Sequence, residues 1–273
     1  MKIKKVYAVY FSATGTTKKI AEYIADNISK KLNIDLNIID FTPKEKREET
    51  FDFKEDELAI FAVPVYAGRV PNVLLPFLKN NIKGNNALCV PVVLFGNRNY
   101  DDALIELRDI MEENNFHSIA AGAFVGEHSF SNILAKNRPG SEDLKVADEL
   151  IDLTIDRIGI LDTYTKEPIN VKGQTPIRPY YTPRDRNGNK IDIRKVLPKV
   201  NHRCNDCKLC AEVCPMGSID KDDIRKYNGI CIKCGACIKK CPMNARYYDD
   251  EGYLYHKKEL EEMYARRAED EIF

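Results

Sequence analysis

The chain has 273 residues, 42 Lys and Arg against 42 Asp and Glu, 44% hydrophobic residues and nine cysteines. That length suits one full domain plus a small one, and the composition is that of a chain that buries a core, which excludes wholesale disorder. A formal net charge of zero gives no electrostatic case for nucleic acid.

No apolar run is long enough to cross a bilayer, so the chain is expected to be soluble. The basic start Met1–Lys5 leads into a short apolar stretch with no small-residue cleavage site, which reads as a first strand and not a signal peptide. An odd number of cysteines without an export signal argues against a secreted disulfide framework and for thiolate ligands in a reducing cytoplasm.

Near-continuous apolar runs at Val6–Phe11, Leu36–Phe41, Leu58–Val65, Val92–Phe95 and Ile119–Val125 read as five strands buried on both faces. The fourth is started after Pro91, because proline cannot donate to a central ladder. Between the strands, apolar residues recur three or four apart: Ile20, Ile24 and Ile28; Leu104, Leu107 and Met111; Ala147, Ile151, Ile155 and Ile158. A short helix is expected near Pro71. The alternation is that of an α/β domain with a parallel sheet wrapped by helices. Cys89, alone in an apolar stretch, reads as a buried hydrophobe.

The first strand runs into Phe11-Ser12-Ala13-Thr14-Gly15-Thr16-Thr17, directly before the helix Lys18–Lys31. A strand, a hydroxyl-rich turn and a helix N-terminus together form an anion site, since unpaired backbone amides and the positive helix end face a ligand. Ser12, Thr14, Thr16 and Thr17 offer hydroxyls, Gly15 lets the backbone approach, and the expected ligand is a phosphate. The same residues also make an ordinary capped helix start. Neither GxGxxG nor GxxxxGK[ST] is present.

This turn is similar to the phosphate loop of flavodoxins, S/T-x-T-G-x-T, and the order of elements over about residues 1–160 agrees. The resemblance implies a flavodoxin-like five-stranded parallel sheet with helices on both faces, and FMN held where the strand order reverses. It implies ring contacts from two loops. Tyr66 and Gly68 lie in the first, after strand three; Gly96, Asn97, Arg98 and Tyr100 lie in the second, after strand four. Tyr66 and Tyr100 are the candidates to lie against the ring, and backbone around Gly68, Gly96 and Asn97 to bond its polar edge. Arg98 either balances charge on the ring or pairs with Asp101. His128, after strand five, is either a flavin neighbour or a packed residue.

From Lys166 to Val200 periodicity gives way to prolines, tyrosines and an excess of Lys and Arg, which reads as a solvated basic linker or as a strip that docks an acidic partner or the neighbouring domain. Then Cys204, Cys207, Cys210 and Cys214, spaced C-x2-C-x2-C-x3-C and followed by Pro215, are repeated as Cys231, Cys234, Cys237 and Cys241 before Pro242. Three cysteines two residues apart wrap three corners of a four-iron cubane, and the fourth reaches the other cluster. Cluster I is therefore expected on Cys204, Cys207, Cys210 and Cys241, and cluster II on Cys231, Cys234, Cys237 and Cys214. Zinc modules place ligands as separated pairs and gain nothing from a third cysteine and a crossing fourth. Residues 201 to about 248 resemble the bacterial dicluster ferredoxins, a small α+β domain with two [4Fe-4S] clusters.

The expected domains are 1–165 (flavodoxin-like), 166–200 (linker), 201–250 (ferredoxin) and 251–273 (a charged terminal helix and tail). The whole resembles flavodoxin–ferredoxin fusion proteins of anaerobic prokaryotes. That resemblance implies an electron-transfer protein that relays electrons between FMN and two clusters and meets a redox partner protein or a small-molecule donor or acceptor. Two other functions fit the residues: an FMN-dependent oxidoreductase acting on a quinone or nicotinamide with the clusters as electron supply, and a redox-sensing adaptor. No residue is singled out as catalytic.

Overall fold

The structure is a computed structural model that describes residues 2–160 and 167–273. The expected boundary at 165–166 lies outside the described residues. In chain order the first part contains β1 (Lys5–Tyr10), α1 (Thr16–Leu32), β2 (Asp35–Asp40), β3 (Phe51–Asp52), β4 (Glu57–Pro64), α2 (Leu75–Asn80), β5 (Ile82–Lys83), β6 (Leu88–Phe95), α3 (Ala103–Glu113), β7 (His117–Ser118), β8 (Gly122–Val125) and α4 (Ser141–Gly159).

The long strands pair in parallel in the order β2-β1-β4-β6-β8, so β1 and β4 flank the point where the order reverses. Along β1 the period-two alternation sorts side chains between two cores. Val6, Ala8 and Tyr10 face one side with Ile20, Ile24 and Ile28 of α1 and Leu150 and Ile151 of α4. Val9 faces the other side with Phe77 and Leu78 of α2 and Leu104, Leu107 and Met111 of α3. Each α1 isoleucine is fully buried, which stabilises by roughly 1.5–3 kcal/mol per side chain and fixes the helix, and with it the turn before it.

Pro91 lies inside β6, in register with Phe61 of β4, and the strand begins at Leu88. The expected start after Pro91 is therefore corrected. On the other side of β6, β7 pairs with residues 88 and 89 and β8 with residues 92 to 95, so the missing donor falls at a break between partners.

The cysteine-rich part contains β9 (Lys199–Val200), α5 (Leu209–Glu212), α6 (Ala236–Lys239) and β10 (Arg246–Tyr247), with β9 and β10 antiparallel. Its Ala236 joins the core shared by α2 and α3, and Val213, Ile232 and Cys234 pack against that core. The segment before it is also attached. Ile169 and Val171 are buried in the same core, and the Tyr180 hydroxyl donates to Val70 O at 2.8 Å.

After α7 (Glu251–Met263) the chain returns to the first domain, where β11 (Glu271–Ile272) adds an antiparallel edge strand to β8. Asn97 holds this return, donating to the carbonyls of Tyr264 and Arg266 at 2.6 Å each and accepting from the Ala268 amide. Among the described residues no helix is long and apolar enough to cross a membrane.

Candidate functional site

The turn between β1 and α1 carries the first candidate site. Gly15 sits at φ +104°, a conformation open to glycine, and precedes the helix with no side-chain cap. Within the described residues the amides of Thr14, Gly15, Thr16 and Thr17 meet no acceptor, while Ser12 Oγ accepts from Lys18 N at 2.9 Å and Ser12 N donates to Thr42 Oγ1. Ser12 thus holds the turn in shape, and the orphaned amides with the Thr14, Thr16 and Thr17 side chains are left for an anion.

These residues open into a cleft of about 480 Å3 at the carboxyl ends of the strands, lined also by Tyr66, Gly96, Gly126, His128 and Cys234. Of the other expected ring residues, Gly68 lies off the cleft, packed against Asp101, and Arg98 pairs with Asp101 and stacks 4.6 Å from the Tyr181 ring centroid. Asn97 spends its side chain on the returning tail. Tyr100 is buried beside Phe95 and its hydroxyl donates to Glu271 at 2.8 Å, so it does not line the cleft. His128 does. Its ring occupies the space a Cβ at Gly96 would need, and its Nδ1 accepts from Phe130 N. Burial, with His256, Lys239 and Arg98 nearby, pushes its pKa down to about 3, so the imidazole is neutral at ordinary pH.

The eight cysteines divide between two further cavities. Cys204, Cys207, Cys210 and Cys241 ring one of about 320 Å3; Cys214, Cys231, Cys234 and Cys237 ring another of about 370 Å3. The thiols stand around a space and do not converge on a point: among the described residues no three His, Cys, Asp or Glu side chains meet closely enough for a single metal ion. Four thiols around one space, in the C-x2-C-x2-C-x3-C spacing, suit a cubane. Backbone amides already point at sulfur, Ala245 N to Cys241 Sγ at 3.3 Å and Ser218 N to Cys214 Sγ at 3.4 Å. Cys89 is buried in the sheet core and lines neither cavity.

Cys234 lines both the second cysteine cavity and the cleft. Three contacts hold this wall. Gly235 at φ +76° lies against Ser129, Lys239 Nζ pairs with Glu127 and donates to Ser131 O, and Arg47 reaches from the loop after β2 to Pro215 O. Neither Glu127 nor Arg47 carried a sequence signal, being single charged residues in loops. Arg246, which lines the first cavity with its Nη2 3.1 Å from Cys210 Sγ, was also missed.

An α/β cleft with an orphaned-amide turn, joined to two four-thiol cavities, defines a flavin and iron–sulfur electron-transfer protein. Comparison with known families agrees. The flavodoxin domain family matches residues 7–120 and the 4Fe-4S dicluster domain family matches residues 203–246, so the chain is a flavodoxin domain fused to a ferredoxin domain, with FMN and two [4Fe-4S] clusters as its cofactors. Among solved structures, a flavodoxin from the domain Archaea is 19% identical, with TM-score 0.41 over 56% of this chain and 99% of that one. The flavodoxin of Streptococcus pneumonia TIGR4 is 18% identical, with TM-score 0.40 over 56% and 99%. An NADH:FMN oxidoreductase in its apo form is also 18% identical, with TM-score 0.40 over 60% and 92%. No curated protein matches the chain.

Proposed function

We propose that the protein is an internal electron relay, in which FMN in the cleft exchanges electrons with the two clusters of the same chain. Cluster II is held by Cys214, Cys231, Cys234 and Cys237, and cluster I by Cys204, Cys207, Cys210 and Cys241. FMN supplies two-electron chemistry that is divisible into single electrons, and each cluster carries one. The observation that carries the proposal is Cys234, a ligand candidate for cluster II that is also a wall of the cleft. Redox centres sharing a wall need no diffusional encounter.

The chain's own residues have separable tasks. The amides of Thr14–Thr17 and their hydroxyls bind the phosphate, and Tyr66 and His128 flank the ring space. Neutral His128 adds no charge there. Cys207 is exposed, which makes cluster I the contact for an outside one-electron partner.

Anaerobic reconstitution of the full chain, followed by assay of flavin, iron and sulfide, tests this reading. One FMN and about eight irons per chain are expected, with reduction of the flavin followed by cluster bleaching that does not depend on protein concentration. A chain that binds no flavin, or whose clusters are reduced only by collision between molecules, would overturn it.

A further inference from the structure

The two cysteine loops are near-copies of one another twenty-seven residues apart. Asp206 and Lys233 share a left-handed backbone (φ 55° and 56°), as do Lys208 and Gly235 (62° and 76°). The amide-to-sulfur bonds of Ala245 and Ser218 are equivalent. The pairing of Val200 with Arg246 repeats as that of Tyr227 with Ile219. The cavity linings differ at Asn205 against Ile232, Lys208 against Gly235, Leu209 against Ala236 and Ala245 against Ser218, and one further difference sets a buried cation opposite an apolar side chain: Arg246 faces the first cavity and Ile219 the second.

Arg246 is 4% exposed. Its Nη2 donates to Cys210 Sγ at 3.1 Å and to Ile224 O, its Nη1 donates to the Tyr227 hydroxyl at 2.7 Å, and its Nε is buried with no partner. Among the described residues it forms no ion pair with a carboxylate. A buried guanidinium without a carboxylate is costly, and thiolates with their iron are the negative charge available to it.

No Lys or Arg lines the second cavity, and Arg246 acts on its Cys237 thiol less than on Cys210, to which it is hydrogen-bonded. That cavity's neighbouring buried cation, Lys233, gives its ammonium to the carbonyls of Arg194 and Cys231, and the Arg47 guanidinium donates to those of Phe41, Thr42 and Pro215 and lies 3.7 Å from Met216 Sδ, on the outer side of the cavity wall. Neither lines the cavity. Charge near a cluster and hydrogen bonds to its sulfurs set its reduction potential, and a fixed cation favours the form carrying one more electron.

We propose that Arg246 orders the two clusters by potential, holding cluster I above cluster II, so that an electron arriving at the inner cluster beside Cys234 passes outward to the exposed end. The step moves one electron: cluster II is oxidised by one and cluster I reduced by one, with no proton required, and a one-electron carrier then takes it from cluster I. The proposal rests on the cluster ligand sets given above.

The test is a redox titration of the reconstituted full chain, followed by electron paramagnetic resonance. Two separate one-electron waves are expected. In Arg246→Gln the upper wave falls, shifting the partition of a single electron toward cluster II about tenfold, ~59 mV for a one-electron couple, while the lower wave moves less. Arg246→Lys, which keeps the charge, retains most of the separation. One merged wave in the unmodified chain overturns the proposal, as does a lower wave that moves as far as the upper one in Arg246→Gln. Should that variant not load both clusters, loaded Arg246→Lys decides, and a tenfold shift despite its retained charge overturns the proposal. The titration reads the clusters alone, so a chain without bound flavin would defeat the relay and leave this ordering standing.

Discussion

A Cβ at Gly235 would stand 2.7 Å from the carbonyl oxygen of Ser129. That is closer than real side chains approach, and the backbone there is left-handed as well. The equivalent position in the first loop carries Lys208, half-buried at the first cavity, with a similar φ of 62°. The glycine is required by the neighbouring domain more than by the loop itself.

Gly235→Ala is therefore expected to push the cluster II loop off residues 127–131 and to cost about 1–3 kcal/mol. Lys208→Ala should stay within about 0.5 kcal/mol of the unmodified chain. Thermal unfolding of both variants checks this, and equal melting temperatures would remove the close-packing argument.

Asn97 is 3% exposed and makes three hydrogen bonds to the returning tail. Its replacement by Ala leaves two carbonyls and an amide without partners, at a cost of about 2–4 kcal/mol. Hydrogen exchange should rise in residues 264–273 and along β8 before it rises in β1. Protection lost uniformly across the sheet would contradict a role local to the tail.

His256 is 6% exposed, and burial together with Arg98 lowers its pKa from 6.5 to about 4. Between those values the unfolded chain takes up a proton that the folded one refuses. The contribution is whole above pH 6.5 and is lost as pH falls toward 4, up to roughly 3 kcal/mol. Urea midpoints measured across this range should show His256→Gln with a shallower acid limb than the unmodified chain.

Ser12 and Thr17 separate shape from binding. Ser12→Ala removes the acceptor of the Lys18 amide and should cost about 1 kcal/mol of stability. Thr17→Ala, at a hydroxyl with no partner among the described residues, should leave the melting temperature nearly unchanged and weaken FMN about tenfold by fluorescence titration, the loss of one hydrogen bond to a charged group. The reverse pattern would move the phosphate away from Thr17.

The sequence carried the sheet and the eight cysteines plainly, because continuous apolar runs and a repeated four-cysteine spacing are local signals. The Tyr100 side chain and the Asn97 backbone read as candidate ring contacts because each follows β6 at a suitable distance, and no local signal says where their side chains go. Their side chains bond Glu271, Tyr264, Arg266 and Ala268, more than 150 residues away. A two-residue strand such as Glu271–Ile272 has no period to read. Arg246 was visible in principle, since aligning the two cysteine runs sets it opposite Ile219.

The antiparallel pairing of β11 with β8 means that the sheet is completed only after the cysteine-rich part has been traversed. Topologically that part is an excursion from the α/β domain, anchored on both departure and return. Centres carried on such an excursion are tethered at both ends, so the proposed exchange between them and the cleft should be indifferent to solvent viscosity, unlike that of modules joined by a single leash.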